Sequence, residues 1–462
     1  MIRLFRVFIP KSIVALVVCD FLLLFGCYVA SAFFYTDDLV IYLQFENGFR
    51  NLSIVVLCLL LSFYFQNLYS EFKVRSPLDL WQQTVMAIGI GFITQAFISY
   101  VNRDLLASRW VMVYSSLLVL VAFPLWRYVY TNALYKGFGT NRILFLGADV
   151  MGIGIVERIA ERPELGFQCV GFIDDQHAPG SIVAGLPVLG PISDLREVVA
   201  QTKVDRIVVC LSERRGAMPV QILLDLRFAG IRIEEAATMS EVAFGRVITH
   251  QLRPSQLIFS SELGPVKWKI RVQTIYSFVI ALVGFLVAIP IMLCVALAVR
   301  LTSPGPVLFR QKRVGLNGRT FTLFKFRSMS VDAEAKTGAV WAKKNDPRVT
   351  KIGGFLRKTR LDELPQLMNV LKGDMAVVGP RPERPEFVSI LSEQIPFYRQ
   401  RHAVKPGVTG WAQINYKYGE SIEDTICKLE YDLYYIKNLS PSLDLFTMLH
   451  TVKVMLFSSH GQ

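Results

Sequence analysis

"VKWKIRVQTIYSFVIALVGFLVAIPIMLCVALAVRLTSPGPVLFRQKRVG", residues 266–315, contains one long apolar run from about 273 to 299. A run of this length exceeds the ~20 residues that cross a ~30 Å hydrocarbon layer. Its flanks are basic on both sides: Lys267, Lys269 and Arg271 precede it, and Arg300, Arg310, Lys312 and Arg313 follow. Lys and Arg gather on the cytoplasmic side of a membrane, so cations at both ends predict that both ends stay there. Pro290 falls inside the run, where it removes a helix hydrogen bond and kinks the chain. The pattern predicts a helix that breaks at Pro290, dips into one leaflet and returns; a simple kinked span is the alternative.

Upstream, four more apolar stretches lie at roughly 12–34, 52–69, 80–101 and 110–126. Each approaches spanning length, which predicts a four-helix transmembrane region over 1–140. Arg3, Arg6, Lys11, Lys73, Arg75, Arg127, Lys136 and Arg142 fall on one side, against Arg50, Arg103 and Arg109 on the other. That bias predicts a multi-pass protein of the bacterial inner (plasma) membrane, with both ends of the bundle and all that follows in the cytoplasm.

From 141 to 262 the character changes. "NRILFLGADVMGIGIVERIAERP" reads as strand, glycine-bearing turn and helix, and "FQCVGFIDD" and "VDRIVVCLS" supply further β-rich runs. This is a Rossmann-like, doubly wound α/β pattern. Gly147, Gly152 and Gly154 lack GxGxxG spacing, and Asp149 places a negative charge where a pyrophosphate would sit. Asp174 and Asp175 stand where such a domain would hold a ribose, but the turn favours a structural or regulatory domain over a working dinucleotide site.

The last region, 263–462, joins the re-entrant helix to a mixed α/β catalytic domain that ends in an amphipathic candidate, "LFTMLHTVKVMLF". Bulk properties agree with a membrane protein: 52% of residues are hydrophobic, and mean hydropathy is +0.40. The net charge of +13 suits anionic lipid or phosphorylated substrates. Nucleic acid is disfavoured, because the cations sit beside apolar and acidic residues. The seven cysteines form no CxxC pair and predict neither zinc nor a disulfide framework.

Two adjacent carboxylates, Asp362 and Glu363, lie within "KTRLDELPQLMNVLKGD". Pro365 is tolerated only in a first turn, so a helix is predicted to start near Leu361 or Asp362. A carboxylate there suits a cap or a nucleophile equally. The surroundings decide between them: Arg357, Lys358 and Arg360 precede the pair, while Arg381, Arg384, Arg399, Arg401, Lys405 and Lys417 follow. Cations crowding two carboxylates describe a site for phosphate with a divalent metal.

"SPGPVLFRQKRVGLNGRTFTLFKFRSM", "NDPRVTKIGGFLRKTRLDELPQLMNVLKGDMAVVGPRPERPEF" and "KPGVTGWAQINYKYG" closely resemble the bacterial polyprenyl-phosphate sugar-1-phosphate transferases. These monotopic phosphoglycosyl transferases start exopolysaccharide and O-antigen synthesis. The resemblance covers about 265–462 densely, and the front of the chain looks like the family's large members. It implies a two-step reaction in which Asp362 attacks a UDP-sugar, expels UMP and passes the phosphosugar to undecaprenyl phosphate. Glu363 would help bind Mg²⁺ or activate the lipid phosphate, and the metal site would be Asp362 with Glu363. Lys325, Arg327, Arg357 and Arg381 match basic residues of the family's motifs. Lys417 stands where many relatives have arginine, which keeps the charge but loses the bidentate fork. The family's re-entrant helix often breaks at Ser-Pro, whereas Ile289 precedes Pro290 here. A homodimer is the default assembly.

Two other readings compete. A membrane-anchored NAD-dependent nucleotide-sugar dehydratase or epimerase would need a Tyr-x-x-x-Lys pair beyond the glycine turn, and the only such spacing is Tyr69 to Lys73, upstream of it. A non-catalytic membrane scaffold would not need the intact carboxylate pair.

Overall fold

A computed structural model describes residues 2–4, 7–9, 11–36, 38–45, 47–66, 68–69, 77–102, 105, 108–130, 141–162, 165–211, 218–249, 267–330, 348–416 and 421–457. Two compact units share the chain, one built on residues 8–236 and the other on 237–462.

The first unit opens with helices α1 (Lys11–Tyr35), α2 (Gly48–Phe65), α3 (Pro77–Val101) and α4 (Arg109–Val129). Residues Ile13–Tyr35, Gly48–Phe65 and Arg109–Val129 are long and apolar enough to cross a membrane. Helix α3, with 25 residues, covers the predicted stretch at 80–101, but among the described residues the fourth helix of that length and apolarity is Lys267–Thr302, in the second unit. Leu24, Leu52, Val56, Phe63, Val119 and Phe123 fill the bundle core, where the Phe63 and Phe123 rings stack at 4.2 Å. Leu22, Phe97 and Val121 are left exposed, as a lipid-facing surface requires.

Inside this bundle lies an ion pair that charge counting misplaces. Arg127, read above as a flanking cation, is buried in α4 and donates to Asp20 of α1 at 2.9 Å. Its second nitrogen reaches the Leu68 carbonyl at 3.0 Å, and Trp126 also donates to Asp20, at 2.9 Å. The two charges can stay in an apolar bundle because each satisfies the other.

The sheet of this unit begins with β1 (Asn141–Leu146), α5 (Val150–Glu161) and β2 (Phe167–Ile173). It continues through β3 (Ile182–Val183), β4 (Leu186–Gly190), α6 (Leu195–Thr202) and β5 (Arg206–Val209). Then come α7 (Val220–Phe228) and β6 (Arg232–Glu235). Strand order is β3-β4-β2-β1-β5-β6, with every pairing parallel except β3 with β4. The order reverses beside β1, which is where open sheets of this kind hold ligands.

The second unit gathers α8 (Ala236–Phe244) and the residues up to Thr249, although the sequence pattern groups them with the sheet. Hydrogen bonds explain the difference: Lys437 pairs with Glu241 at 2.9 Å, Trp411 donates to the Gly245 carbonyl at 2.9 Å, and Val247 donates to the Glu430 carbonyl at 3.1 Å. Helix α9 (Lys267–Thr302) follows as one continuous helix of 36 residues with Pro290 inside it. The break expected at Pro290 does not interrupt the helix, because a proline removes a single hydrogen bond and the turns on either side hold the rest.

Helix α9 buries only a narrow stripe: Gln273, Ser277, Ala281, Ala288, Val295 and Val299. The stripe extends about 39 Å at 1.5 Å per residue. Its first part packs on Leu323, Val370 and Met375, and its last part on Phe326 and Leu356. Ile275, Val283, Val287, Leu293 and Leu297 are exposed along the other faces. Such an apolar surface is stable only against lipid or another apolar partner.

Beyond α9 come the hairpin β7 (Leu308–Val314) and β8 (Thr320–Phe326), α10 (Lys351–Lys358), α11 (Gln366–Lys372) and β9 (Ala376–Val378). They are followed by α12 (Pro385–Gln394), β10 (Gly407–Thr409), α13 (Trp411–Asn415), α14 (Ile422–Asn438) and α15 (Pro441–Phe457). Strands β9 and β10 pair in parallel. On α15, Leu445, Val452 and Met455 remain exposed in helical register, an apolar stripe on a surface helix.

Arg127→Ala would leave Asp20 buried without its cation, at a cost of roughly 3 kcal/mol. The expected result is a lower thermal midpoint for the detergent-solubilised protein, partly recovered when Asp20→Leu and Arg127→Met are combined. An unchanged midpoint in the single variant would rule the pair out as the lock between α1 and α4.

Candidate active site

The carboxylate pair sits on a single 3₁₀ turn, Leu361–Glu363, rather than at an α-helix start. Arg360, just before it, adopts a left-handed backbone (φ 55°), which redirects the chain leaving α10. Pro365 then caps α11, where its fixed φ of −62° suits the entry to a helix.

Glu363 is held mainly through one oxygen. Its Oε1 accepts from Lys325 Nζ at 2.8 Å and from Arg381 Nη2 at 2.8 Å, while Arg360 Nη1 lies 3.8 Å from Oε2. Burial opposes its charge, but Arg381 and Lys325 more than offset this and hold the carboxyl well below the usual carboxylate range. Asp362, its neighbour, is buried and makes no hydrogen bond or ion pair among the described residues. Burial pushes its carboxyl up; Lys325, Arg357 and Arg381 are near enough to pull it down, and the Glu363 charge pushes it up further. Two adjacent carboxylates thus differ sharply: one is consumed by cations, and the other is left open.

Each cation is positioned by a different segment. Lys325 projects from β8, which Asn369 of α11 clamps by accepting from the Phe324 N–H at 3.0 Å and donating to the Thr322 carbonyl at 2.7 Å. Because strand side chains alternate, Phe324 turns to the opposite face, with Lys372 over its ring at 4.4 Å. Arg357 stands on α10 and donates to Ser328 Oγ at 3.0 Å. The contact needs Gly353, since a Cβ there would fall 1.9 Å from the Ser328 carbonyl oxygen.

Arg381 belongs to the loop after β9. Arg401 Nη2 donates to the Arg381 carbonyl at 3.1 Å, Arg313 to the Pro382 carbonyl at 3.0 Å, and the Gly407 N–H to the Pro380 carbonyl at 3.0 Å. Arg401 is itself buried against Asp432 at 2.8 Å. It is a support for the loop, not a free phosphate ligand. A Cβ on Gly407 would lie 2.1 Å from the Gly379 nitrogen, so the two backbones can approach only as glycines.

Lys325, Arg357 and Arg381 therefore converge on the pair, but Arg327 does not join them. It is buried, and Nη2 donates to both Ser303 O and Ser303 Oγ at 2.7 Å. Lys417 lies outside the described residues. Asn369, Gly353 and Arg401 carry the site's geometry but leave little trace in the sequence, beyond an amide within an apolar helix and motif glycines.

The expected metal has a small donor set. Among the described residues, no group of three or more His, Cys, Asp and Glu could hold an ion. Asp362 and the second oxygen of Glu363 remain open. This fits Mg²⁺, which takes one or two carboxylates together with substrate phosphates and water.

The turn after β1 fits a nucleotide poorly. Asp149 caps α5 by accepting from the Gly152 N–H at 2.8 Å, so the protein's own carboxylate occupies the place of a pyrophosphate. Asp174 pairs with His177 at 2.5 Å, and Asp175 accepts from the Ile192 N–H at 2.8 Å, which leaves neither aimed at a ribose.

Residues 268–458 match the bacterial sugar transferase family, and residues 50–237 match a CoA-binding domain, whose coenzyme the self-capped β1–α5 turn does not fit. The chain is similar to the UDP-N-acetylgalactosamine-undecaprenyl-phosphate N-acetylgalactosaminephosphotransferase of Aeromonas hydrophila, 42% identical over 49% of this chain and 53% of that one. It is also similar to the UDP-glucose:undecaprenyl-phosphate glucose-1-phosphate transferases of Klebsiella pneumoniae, 36% identical over 68% of each chain, and of Xanthomonas campestris pv. campestris, 33% identical over 69% of this chain and 68% of that one. The chain belongs to the bacterial sugar transferases, the polyprenyl-phosphate sugar-1-phosphate transferases. It spans about half the length of the first of these relatives and two thirds of the other two.

Lys325→Met removes a cation that helps keep Asp362 ionised, so a larger fraction of the carboxyl is protonated at a given pH. The acid limb of the pH profile for transfer is expected to move to higher pH. A limb that stays in place or moves to lower pH would exclude Asp362 as the group that must be ionised.

Proposed function

We propose that the protein transfers a sugar 1-phosphate from a UDP-hexose or UDP-N-acetylhexosamine to undecaprenyl phosphate, the first step in assembling a bacterial glycan. An Asp362 oxygen attacks the β-phosphorus, the bond from that phosphorus to the bridging oxygen breaks, and UMP leaves. An oxygen of undecaprenyl phosphate then attacks the aspartyl-phosphosugar. The bond from phosphorus to the carboxylate breaks, which regenerates Asp362 and yields undecaprenyl-diphospho-sugar.

One observation carries this reading: Glu363 Oε1 accepts from both Lys325 and Arg381, while the adjacent buried Asp362 has no hydrogen-bond partner among the described residues. A nucleophile must be open, and the transferred phosphoryl group needs positive charge beside it. Glu363 holds both cations in place without neutralising the whole cluster. Asp362 and Glu363 would hold Mg²⁺, which supplies further charge neutralisation at the phosphoryl oxygens. The names of the relatives support this chemistry, with N-acetylgalactosamine in one case and glucose in others.

The basic flanks of α9 support a helix that enters one leaflet and keeps both ends on the same side, although the chain runs through Pro290 as one helix. That arrangement keeps the site level with the phosphate of a lipid whose tail stays in the membrane. The unit faces the cytoplasm in this reading, as the basic flanks of α9 require.

Wild type supplied with undecaprenyl phosphate, Mg²⁺ and a panel of UDP-sugars should release UMP with one of them. Asp362→Asn should release none and form no covalent phosphosugar; full turnover by this variant would exclude Asp362 as nucleophile. Reporter tags at residue 265 and at the C-terminus should both read cytoplasm, and a periplasmic C-terminus would mean that α9 spans the membrane.

A further inference from the structure

The guanidinium of Arg327 is left unused by this chemistry. Its side chain is buried (5% exposed), and Nη2 holds Ser303 through two hydrogen bonds of 2.7 Å. Neither Nε nor Nη1 finds an acceptor among the described residues. Buried N–H donors on a charged group are costly to leave unmet, and the guanidinium fork matches the oxygens of a phosphate.

The location narrows the ligand. Ser303 follows directly on α9, which ends at Thr302, and Leu301 on its last turn is 76% exposed. Arg327 is therefore tied to the level at which the apolar helix gives way to the polar domain. Lys325 lies two residues away, on the same side of the extended chain, and its ammonium is at Glu363. Arg327 is thus fixed to the end of α9, two residues along the chain from Lys325, and Ser328, which follows it, accepts from Arg357.

We propose that Arg327 binds the phosphate monoester of the membrane-borne acceptor, and that Ser303 holds its guanidinium at the right depth. This assignment rests on the transfer reaction above and separates the two substrates. Lys325, Arg357 and Arg381 surround the donor's transferred phosphoryl group, while Arg327 takes the acceptor.

The full chain in nanodiscs tests this, as wild type, Arg327→Lys and Ser303→Ala. The ping-pong scheme gives separate constants for each substrate. Arg327→Lys should raise KM for undecaprenyl phosphate by about tenfold, since the charge survives but the fork is lost. KM for the UDP-sugar and the burst of UMP without acceptor should change little. Ser303→Ala should shift the same constant in the same direction by a smaller factor.

A shift confined to the UDP-sugar, an equal loss in both half-reactions, or no shift at all would overturn the assignment. A second readout needs no turnover: ³¹P line broadening of a water-soluble short-chain prenyl phosphate, seen with wild type and lost with Arg327→Lys. Equal broadening by both proteins would overturn the proposal, and equally strong competition by inorganic phosphate or phosphatidylglycerol would overturn the choice of a prenyl ligand. Failure of wild type to release UMP would strike the proposed reaction, and the binding measurement would still decide the Arg327 site.

Discussion

Glu363, gripped by Lys325 and Arg381, is the interaction on which the catalytic unit depends. It joins three segments far apart in sequence: the β7–β8 hairpin, the 3₁₀ turn and the loop after β9. Two cations on one buried carboxylate leave a net positive charge, which is what a phosphorylated ligand needs and what a closed ion pair would not offer. The same grip defines Asp362 by contrast. Asp362 makes no hydrogen bond among the described residues, and it is there that the proposed chemistry is placed.

The second constraint is how α9 is held. Gln273, deeply buried, donates through Nε2 to Tyr435 OH at 2.7 Å and Asp444 at 2.9 Å, with the Val378 carbonyl 3.1 Å from the same nitrogen. Tyr435 also donates to Asp444, at 2.7 Å, and Tyr276 hydrogen-bonds to the same carboxylate. Burial raises the Asp444 carboxyl to about 6. Val378 is the last residue of β9, immediately before the loop that carries Arg381. The polar network therefore couples the start of the membrane helix to an active-site loop, while Arg327 couples the helix end to β8. A helix with a stripe of small and polar residues can be tied this closely; one lined with leucines would stand off.

Much of this was legible in the chain because its signals are local. The apolar runs, the basic flanks of α9, and the turn between β1 and α5 each follow from neighbouring residues and a single periodicity. The convergence of Lys325, Arg357 and Arg381 was read from charge density and motif resemblance, without knowledge of which carboxylate they would take. Other features were out of reach. Arg127 looks like a flanking cation because nothing nearby in sequence announces Asp20, 107 residues away. Arg327 looks like any other motif cation until Ser303 is seen to hold it. The segment through Thr249 reads as part of the sheet region, yet its hydrogen bonds run to α14, some 180 residues later.

What the sequence determined by itself was the set of apolar helices, the alternating α/β region and a cationic neighbourhood for two carboxylates, since periodicity and composition are properties of short windows. Only the tertiary structure decided the roles within that neighbourhood. Burial and hydrogen-bond saturation depend on which distant segments meet. That meeting sets two cations on one oxygen of Glu363 and no hydrogen bond on Asp362 among the described residues, makes Arg401 a strut, and turns Arg327 toward the end of α9.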